Sequence, residues 1–180
     1  MTTRGRLPPV ELLRHFLPDD YARGLEDWAW TGATSLTPIG ASPFGDVFLK
    51  GRDGISMLDT LEGHLVPAFA DLDEMRRVLA TPEGQDRFLT AGLALAAAER
   101  GLVPGTRQVY AYSTPPVLGG PVSVDNVEVM DFVVWLSLTG QIHDQVRNLP
   151  PGTRISGFTL DGRPPEKLSG RRGLFRRRSR

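Results

Sequence analysis

An α+β fold is what this sequence predicts: an antiparallel sheet of about four to six strands, two short N-terminal helices, a central helical segment and a long C-terminal helix packed on one face. Three observations carry the prediction. Alternating apolar and polar runs flank turn sequences between residues 43 and 67. Capping residues stand ahead of helical periodicity at Asp71 and Thr81. A broad apolar stripe then recurs at helical spacing from Val127 onward.

The sheet is read from Pro43-Phe44-Gly45-Asp46-Val47-Phe48-Leu49, which is followed by the turn sequence Gly51-Arg52-Asp53-Gly54 and a second apolar run, Ile55 to Leu58. Side chains flip face at every residue of a strand while a tight turn needs positive φ, so this pattern predicts a hairpin. Asp59-Thr60-Leu61-Glu62-Gly63 is a second turn leading into His64-Leu65-Val66-Pro67, which extends the hairpin to a meander. Leu36 to Ile39 reads as a strand ahead of it, and Gln108 to Tyr112 and Arg154 to Leu160 as strands after it, the last on an edge.

Helices follow from caps and periodicity. Leu12, Leu13, Phe16 and Leu17 fall on one helical face before Pro18, so a helix is expected to end there. Asp19 is a candidate cap for a second, with Tyr21, Leu25 and Trp28 on one side. Asp71 followed three residues later by Glu74 forms a variant capping box for a helix to about Leu79. Thr81-Pro82-Glu83 starts another, expected to run unbroken to Arg100 and end at Gly101. Phe132, Trp135, Leu136, Ile142 and Val146 define the last helix, expected over Val127 to Asn148 with Gly140 as its weak point.

Composition bounds the chemistry. An apolar fraction of 40% over 180 residues suits one domain with a sizeable core, expected over residues 1–152. The absence of cysteine removes disulfides, thiolate nucleophiles and Cys-ligated metals. The N-terminal run Met1 to Pro9 lacks the apolar core of a signal peptide and no apolar run approaches a membrane span, so the expectation is a cytoplasmic protein. Net charge zero conceals a division: residues 1–150 hold 12 Lys+Arg against 19 Asp+Glu, and residues 151–180 hold 9 against 2. An acidic body thus precedes a basic, Pro-, Gly- and Arg-rich tail over 153–180, expected to be partly disordered.

Candidate reacting groups do not converge in the sequence. His15, His64 and His143 lack metal-ligand spacing, no Gly-x-Ser-x-Gly elbow occurs, and Gly119-Gly120 lacks the further glycines and lysine of a phosphate loop. Neither a catalytic residue, a cofactor nor a metal is therefore expected. Phe44, Gly45 and Asp46, with Gly119 and Gly120, read as structural: Gly45 gives tight entry, Asp46 bonds turn backbone, and Phe44 and Phe48 are core. The acids Asp19, Asp20, Glu26, Asp27, Asp71, Asp73 and Glu74 suit caps and polar faces, and equally contacts with a basic partner. Of Trp28 and Trp30, at least one belongs in the core and Trp30 is the better surface contact. Arg171, Arg172, Arg176, Arg177, Arg178 and Arg180 offer a salt-sensitive contact to a phosphate-bearing partner, or fold back on the acidic body.

Several short motifs in order suggest a family. Leu36-Thr37-Pro38-Ile39-Gly40, Phe44-Gly45-Asp46-Val47-Phe48, Asp59-Thr60 with Gly63, Tyr110 with Pro115-Pro116 and Leu118-Gly119-Gly120, and Leu138 with Gly140-Gln141-Ile142 together resemble the bacterial family of type VI secretion immunity proteins of the Tdi type, C-terminal domain. The resemblance spans roughly Leu36 to Gly152. It implies an α+β architecture shared with the SMI-type immunity superfamily and a small cytoplasmic, non-catalytic protein that binds a cognate toxin, often a nuclease. Two departures stand out: about 35 residues precede the first motif where long members carry a GAD-like domain, and the Arg-rich tail lies outside the pattern. The alternative expectation is a structural or regulatory interaction protein whose tail docks to nucleic acid, a membrane surface or a larger assembly; a small hydrolase is a third.

Overall fold

Pro18 opens a helix instead of closing one. The computed structural model describes residues 10–150, 153, 157–158 and 166–167, and in it the stretch ahead of Pro18 is not helical. Arg14 pairs with Ala41 through reciprocal backbone bonds of 2.8 and 2.9 Å. The expected helix over residues 12–17 is thus absent, because a sheet edge supplies partners for this backbone. Helix α1 (Pro18–Leu25) has Pro at its first turn and Leu17 at the N-cap, with Asp19 and Asp20 in the first turn. A 3-10 helix, Glu26–Thr31, continues from it. Tyr21, Leu25 and Trp28 are buried, as their spacing implied.

The meander forms with one strand more than the hairpins required. Strands β1 (Thr37–Ala41), β2 (Val47–Lys50), β3 (Ile55–Asp59) and β4 (His64–Phe69) build a four-stranded antiparallel sheet in sequence order. Alternation divides its side chains between two cores. Val47, Leu49 and Leu58 join one apolar cluster, while Phe48 and Ile55 join the other with Phe69, Met75 and Leu89. Both faces are therefore covered.

Helices α2 (Leu72–Leu79) and α3 (Pro82–Leu89) cover the second cluster. Asp71 accepts from the Glu74 amide at 2.8 Å, and Glu74 reaches back to the amide of Ala70. Thr81 caps α3 by accepting from Gly84 at 3.0 Å. The expected single helix from Thr81 to Arg100 breaks at Thr90, which takes φ 51° and ψ 43°, and α4 (Ala91–Glu99) begins beyond it. Packing gives the reason. Leu89 belongs to the second cluster and Ala94 and Ala97 to the first, and one straight rod does not serve both.

A second correction concerns the C-terminal helix. Val127 to Asp131 form strand β6 (Val127–Asp131), paired antiparallel with β5 (Gln108–Tyr112) from Gln108↔Asp131 to Tyr112↔Val127. Val127-Glu128-Val129-Met130 alternates and has a partner strand at hand, so pairing overrides the helical reading. Helix α5 (Phe132–Val146) starts only after Asp131, whose carboxylate accepts from Val133 at 3.0 Å and Val134 at 3.3 Å. Gly140, expected to weaken α5, lets it approach the 3-10 helix: a Cβ there would stand 2.8 Å from Asp27 Cβ and 2.9 Å from Trp28 Nε1. Trp28 in turn donates to the Leu136 carbonyl at 2.7 Å.

Of the expected edge strand over 154–160, Gly157–Phe158 (β7) pairs with Glu166–Lys167 (β8) as a separate two-stranded ribbon. The rest of that stretch, and Arg171, Arg172, Arg176, Arg177, Arg178 and Arg180, lie outside the described residues. No helix among the described residues is long and apolar enough to cross a membrane.

Candidate functional site: a carboxylate-lined cavity under the Pro-Pro loop

Asp46 is the centre of a knot of hydrogen bonds between β1, β2 and the β3–β4 turn. Its Oδ2 accepts from Ser42 Oγ at 2.7 Å, and its Oδ1 accepts from the Thr60 amide at 2.9 Å and hydroxyl at 2.8 Å. The Ser42 hydroxyl itself accepts from the amides of Phe44 and Asp46. Gly45, at φ 89°, turns the chain here with Trp135 directly above it: a Cβ would lie 2.8 Å from Trp135 Cδ1. Phe44 and Phe48 are buried. The side chain of Asp46 is thus a turn holder in a nearly dry place, 8% exposed. Burial, and then the neighbouring Asp59 charge, push its pKa above the usual carboxylate range against the pull of these hydrogen bonds.

Helix α5 closes the knot from the other side. Trp135 Nε1 donates to the Phe44 carbonyl at 2.8 Å, and His143 Nε2 stands 3.0 Å from the Thr60 carbonyl. A carbonyl only accepts, so Nε2 carries the proton and the neutral tautomer is fixed. Gly63 makes room for the ring, since a Cβ there would lie 2.2 Å from Nδ1. Burial lowers the His143 pKa.

Between these parts lies a cavity of about 130 Å³. The β3–β4 turn gives it Asp59 and Thr60, α5 gives Trp135 and His143, β5 gives Tyr112, and Pro115-Pro116-Val117 forms a wall with Arg87 and Thr90 from the α3–α4 corner. Asn126 holds that loop, bonding Thr114 through both amide atoms at 2.9 and 2.8 Å and the Pro121 carbonyl at 2.9 Å. Gly120 fits where a Cβ would stand 1.8 Å from the Thr114 carbonyl, and Gly119 turns at φ 92°. Two larger grooves, about 510 and 560 Å³, flank β1. Their walls are mostly apolar, whereas a further groove of about 460 Å³ gathers Lys50, Arg52, Asp71, Asp73 and Arg76.

The acids singled out as partner contacts are split between two regions. Asp20 is only 3% exposed and sits between Arg23 at 2.7 Å and Arg107 at 3.2 Å, so its charge is spent inside the fold and not on a partner. Asp27 bonds Ser137 and Gln141 of α5. Asp19 and Glu26 stay exposed, and their carboxylates have no bonding partner among the described residues. On the far side of the sheet, Asp71 and Glu74 cap α2 and Asp73 pairs with Arg76 at 3.1 Å. Trp28 is core, whereas Trp30 is half-buried, with the Arg147 guanidinium 4.9 Å over its ring.

Sequence reasoning missed Tyr112, Trp135 and His143 as neighbours of Asp46. Only the chain closure that sets α5 across the β3–β4 turn brings them together. Among the described residues no group of three His, Asp or Glu is placed to hold a metal ion.

Fold and site together define an α+β protein whose buried polar groups mostly shape its own backbone around a small cavity lined by Asp46 and Asp59. Residues 77–143 match the family described as T6SS immunity protein Tdi1, C-terminal, so this stretch is similar to a type VI secretion immunity family. The match runs from the end of α2 to His143. It contains the Tyr110 to Gly120 and Leu138 to Ile142 motifs; the Leu36 to Phe48 and Asp59 to Gly63 motifs precede it. No curated protein matches the chain.

Proposed function

We propose that this protein is a cytoplasmic, non-catalytic immunity protein that binds a cognate bacterial toxin and neutralises it by occlusion. The match of residues 77–143 to the Tdi1 C-terminal family carries the reading. Charge supports it. Residues 10–150 hold 10 Lys+Arg against 19 Asp+Glu, and an acidic surface attracts a toxin whose own substrate is an anion such as DNA or RNA. Asp19 and Glu26 are the acids of the proposed contact set whose carboxylates have no partner among the described residues; Trp30 offers an aromatic anchor nearby on the same 3-10 helix as Glu26.

Residues 1–152 are the neutralising unit in this reading, and the basic stretch 153–180 is an appendage. Co-expression with the toxin encoded by the adjacent open reading frame tests it: cells should survive with the full chain and with a chain lacking 161–180. Survival no better than with empty vector overturns the proposal. Loss of protection with the truncation alone would favour a tail-driven interaction protein, whose binding would weaken steeply with salt.

A further inference from the structure

The cavity beneath Pro115-Pro116 has more acceptors than the fold uses. Asp59 Oδ1 takes the amides of Leu61 and Glu62, each at 2.9 Å, while its Oδ2 takes no donor among the described residues. Asp46 takes three donors where a carboxylate accommodates about four. Tyr112 lines the same space at 5% exposure, and its hydroxyl has no hydrogen-bond partner among the described residues. The oxygen itself is not sealed off, since the buried side-chain atoms left without a partner among the described residues are Arg14 Nε and Tyr21 Oη. Neither Asp46 nor Asp59 has an ion-pair partner among the described residues, and the Arg87 guanidinium in the cavity wall lies 4.9 Å over the Phe88 ring. His143 is committed to Thr60.

We propose that this cavity receives a guanidinium or ammonium head group. A cation donating to Asp59 Oδ2, the remaining site on Asp46 and the Tyr112 oxygen would offset the repulsion between two carboxylates that face one space. Phe44, Tyr112 and Trp135 line the cavity beside them, with Phe44 and Tyr112 stacked at 5.4 Å, and such ring faces attract cations. The same groups repel phosphate or carboxylate. About 130 Å³ equals the liquid volume of about four waters, which suits a head group and a methylene or two, not a nucleotide.

Two sources carry this chemistry: a free small cation, or an arginine or lysine side chain of a partner protein. The proposal goes beyond toxin neutralisation and is tested without a toxin. Agmatine, an arginine tripeptide blocked at both ends, and uncharged butylurea are titrated into the 15N-labelled full chain, with Tyr112, Trp135 and His143 resonances followed. Agmatine should saturate in the millimolar range or tighter, and butylurea should not. Binding of the blocked tripeptide as well as agmatine assigns the site to a protein side chain; binding of agmatine alone assigns it to a small molecule. Asp59→Asn keeps the Oδ1 acceptor of the turn and should weaken agmatine by about tenfold, and Tyr112→Phe by about threefold. Absence of saturation by both cations in the folded protein overturns the proposal. So does equal binding of butylurea, or a loss of less than about threefold in Asp59→Asn.

Discussion

His143 shows how one residue's surroundings become a property of the whole protein. Burial lowers its pKa from the ordinary imidazole value and His64 adds to the effect, while the Thr60 carbonyl, Asp59 and Glu62 oppose it. The unfolded chain therefore takes up a proton near pH 6.5 that the folded chain refuses, and stability falls as pH drops from about 6.5 toward the folded value. The slope reaches at most about 1.4 kcal/mol per pH unit. Urea unfolding between about pH 5 and 8 should show this slope, and it should flatten in His143→Gln. A parallel slope in both proteins would mean that His143 titrates alike folded and unfolded. Asp46 acts with the opposite sign: its raised pKa makes its contribution fall as pH rises above the ordinary carboxylate value. Gly140 gives a simpler residue-scale test. Ala is the better helix former by about 1 kcal/mol, yet its Cβ would meet Asp27 and Trp28 within 2.9 Å. Overpacking of this kind costs about 1–3 kcal/mol, so Gly140→Ala should lower the urea midpoint despite its propensity.

Among elements, the corner between α3 and α4 turns on Thr90. A non-glycine residue at positive φ carries about 1–2 kcal/mol of strain, and glycine removes it at an entropic cost of about 0.4–1 kcal/mol. Thr90→Gly should thus leave stability unchanged or raise it by up to about 1.6 kcal/mol in urea unfolding. In an unbroken helix the same change would destabilise, so the sign of the shift distinguishes a corner from a rod. This corner also marks what the sequence conceals. Thr90 carries no glycine or proline signal, and the division of Leu89 and Ala94 between two cores exists only once the sheet has covered both. Val127 to Asp131 misled for a related reason: five residues that alternate also fit a helical stripe, and only the presence of β5 decides between them. The meander was legible because its register and turns are local. The Phe44-Gly45-Asp46 turn was legible for the same reason, through Gly45 at positive φ and Asp46 on turn amides. Tyr112, Trp135 and His143 were not, since each reads alone as core or polar helix face and their convergence on Asp46 spans about a hundred residues of chain.

For the whole molecule, charge and shape would make separate contributions to the proposed binding of a toxin. The excess of 19 acids over 10 bases in residues 10–150 acts at long range and steers the encounter, while close packing at the contact sets how long the complex lasts. Salt screens the first far more than the second, because the Debye length shrinks from about 10 Å at 0.1 M to about 3 Å at 1 M. Stopped-flow association with the cognate toxin should therefore slow by about tenfold or more between low and high salt, with the dissociation rate changing much less. Residues 161–180 bring 8 Lys+Arg against 2 Asp+Glu, so a chain ending at residue 160 is more acidic and should associate at least as fast as the full chain at low salt. Reversing Asp19 and Glu26 to lysine should cut the association rate further than reversing Asp71 and Asp73, because Asp71 caps α2 and Asp73 faces Arg76 while the first pair has no partner among the described residues. An association rate indifferent to salt in the full and shortened chains alike would leave shape complementarity alone to account for neutralisation and would remove the acidic surface from the mechanism.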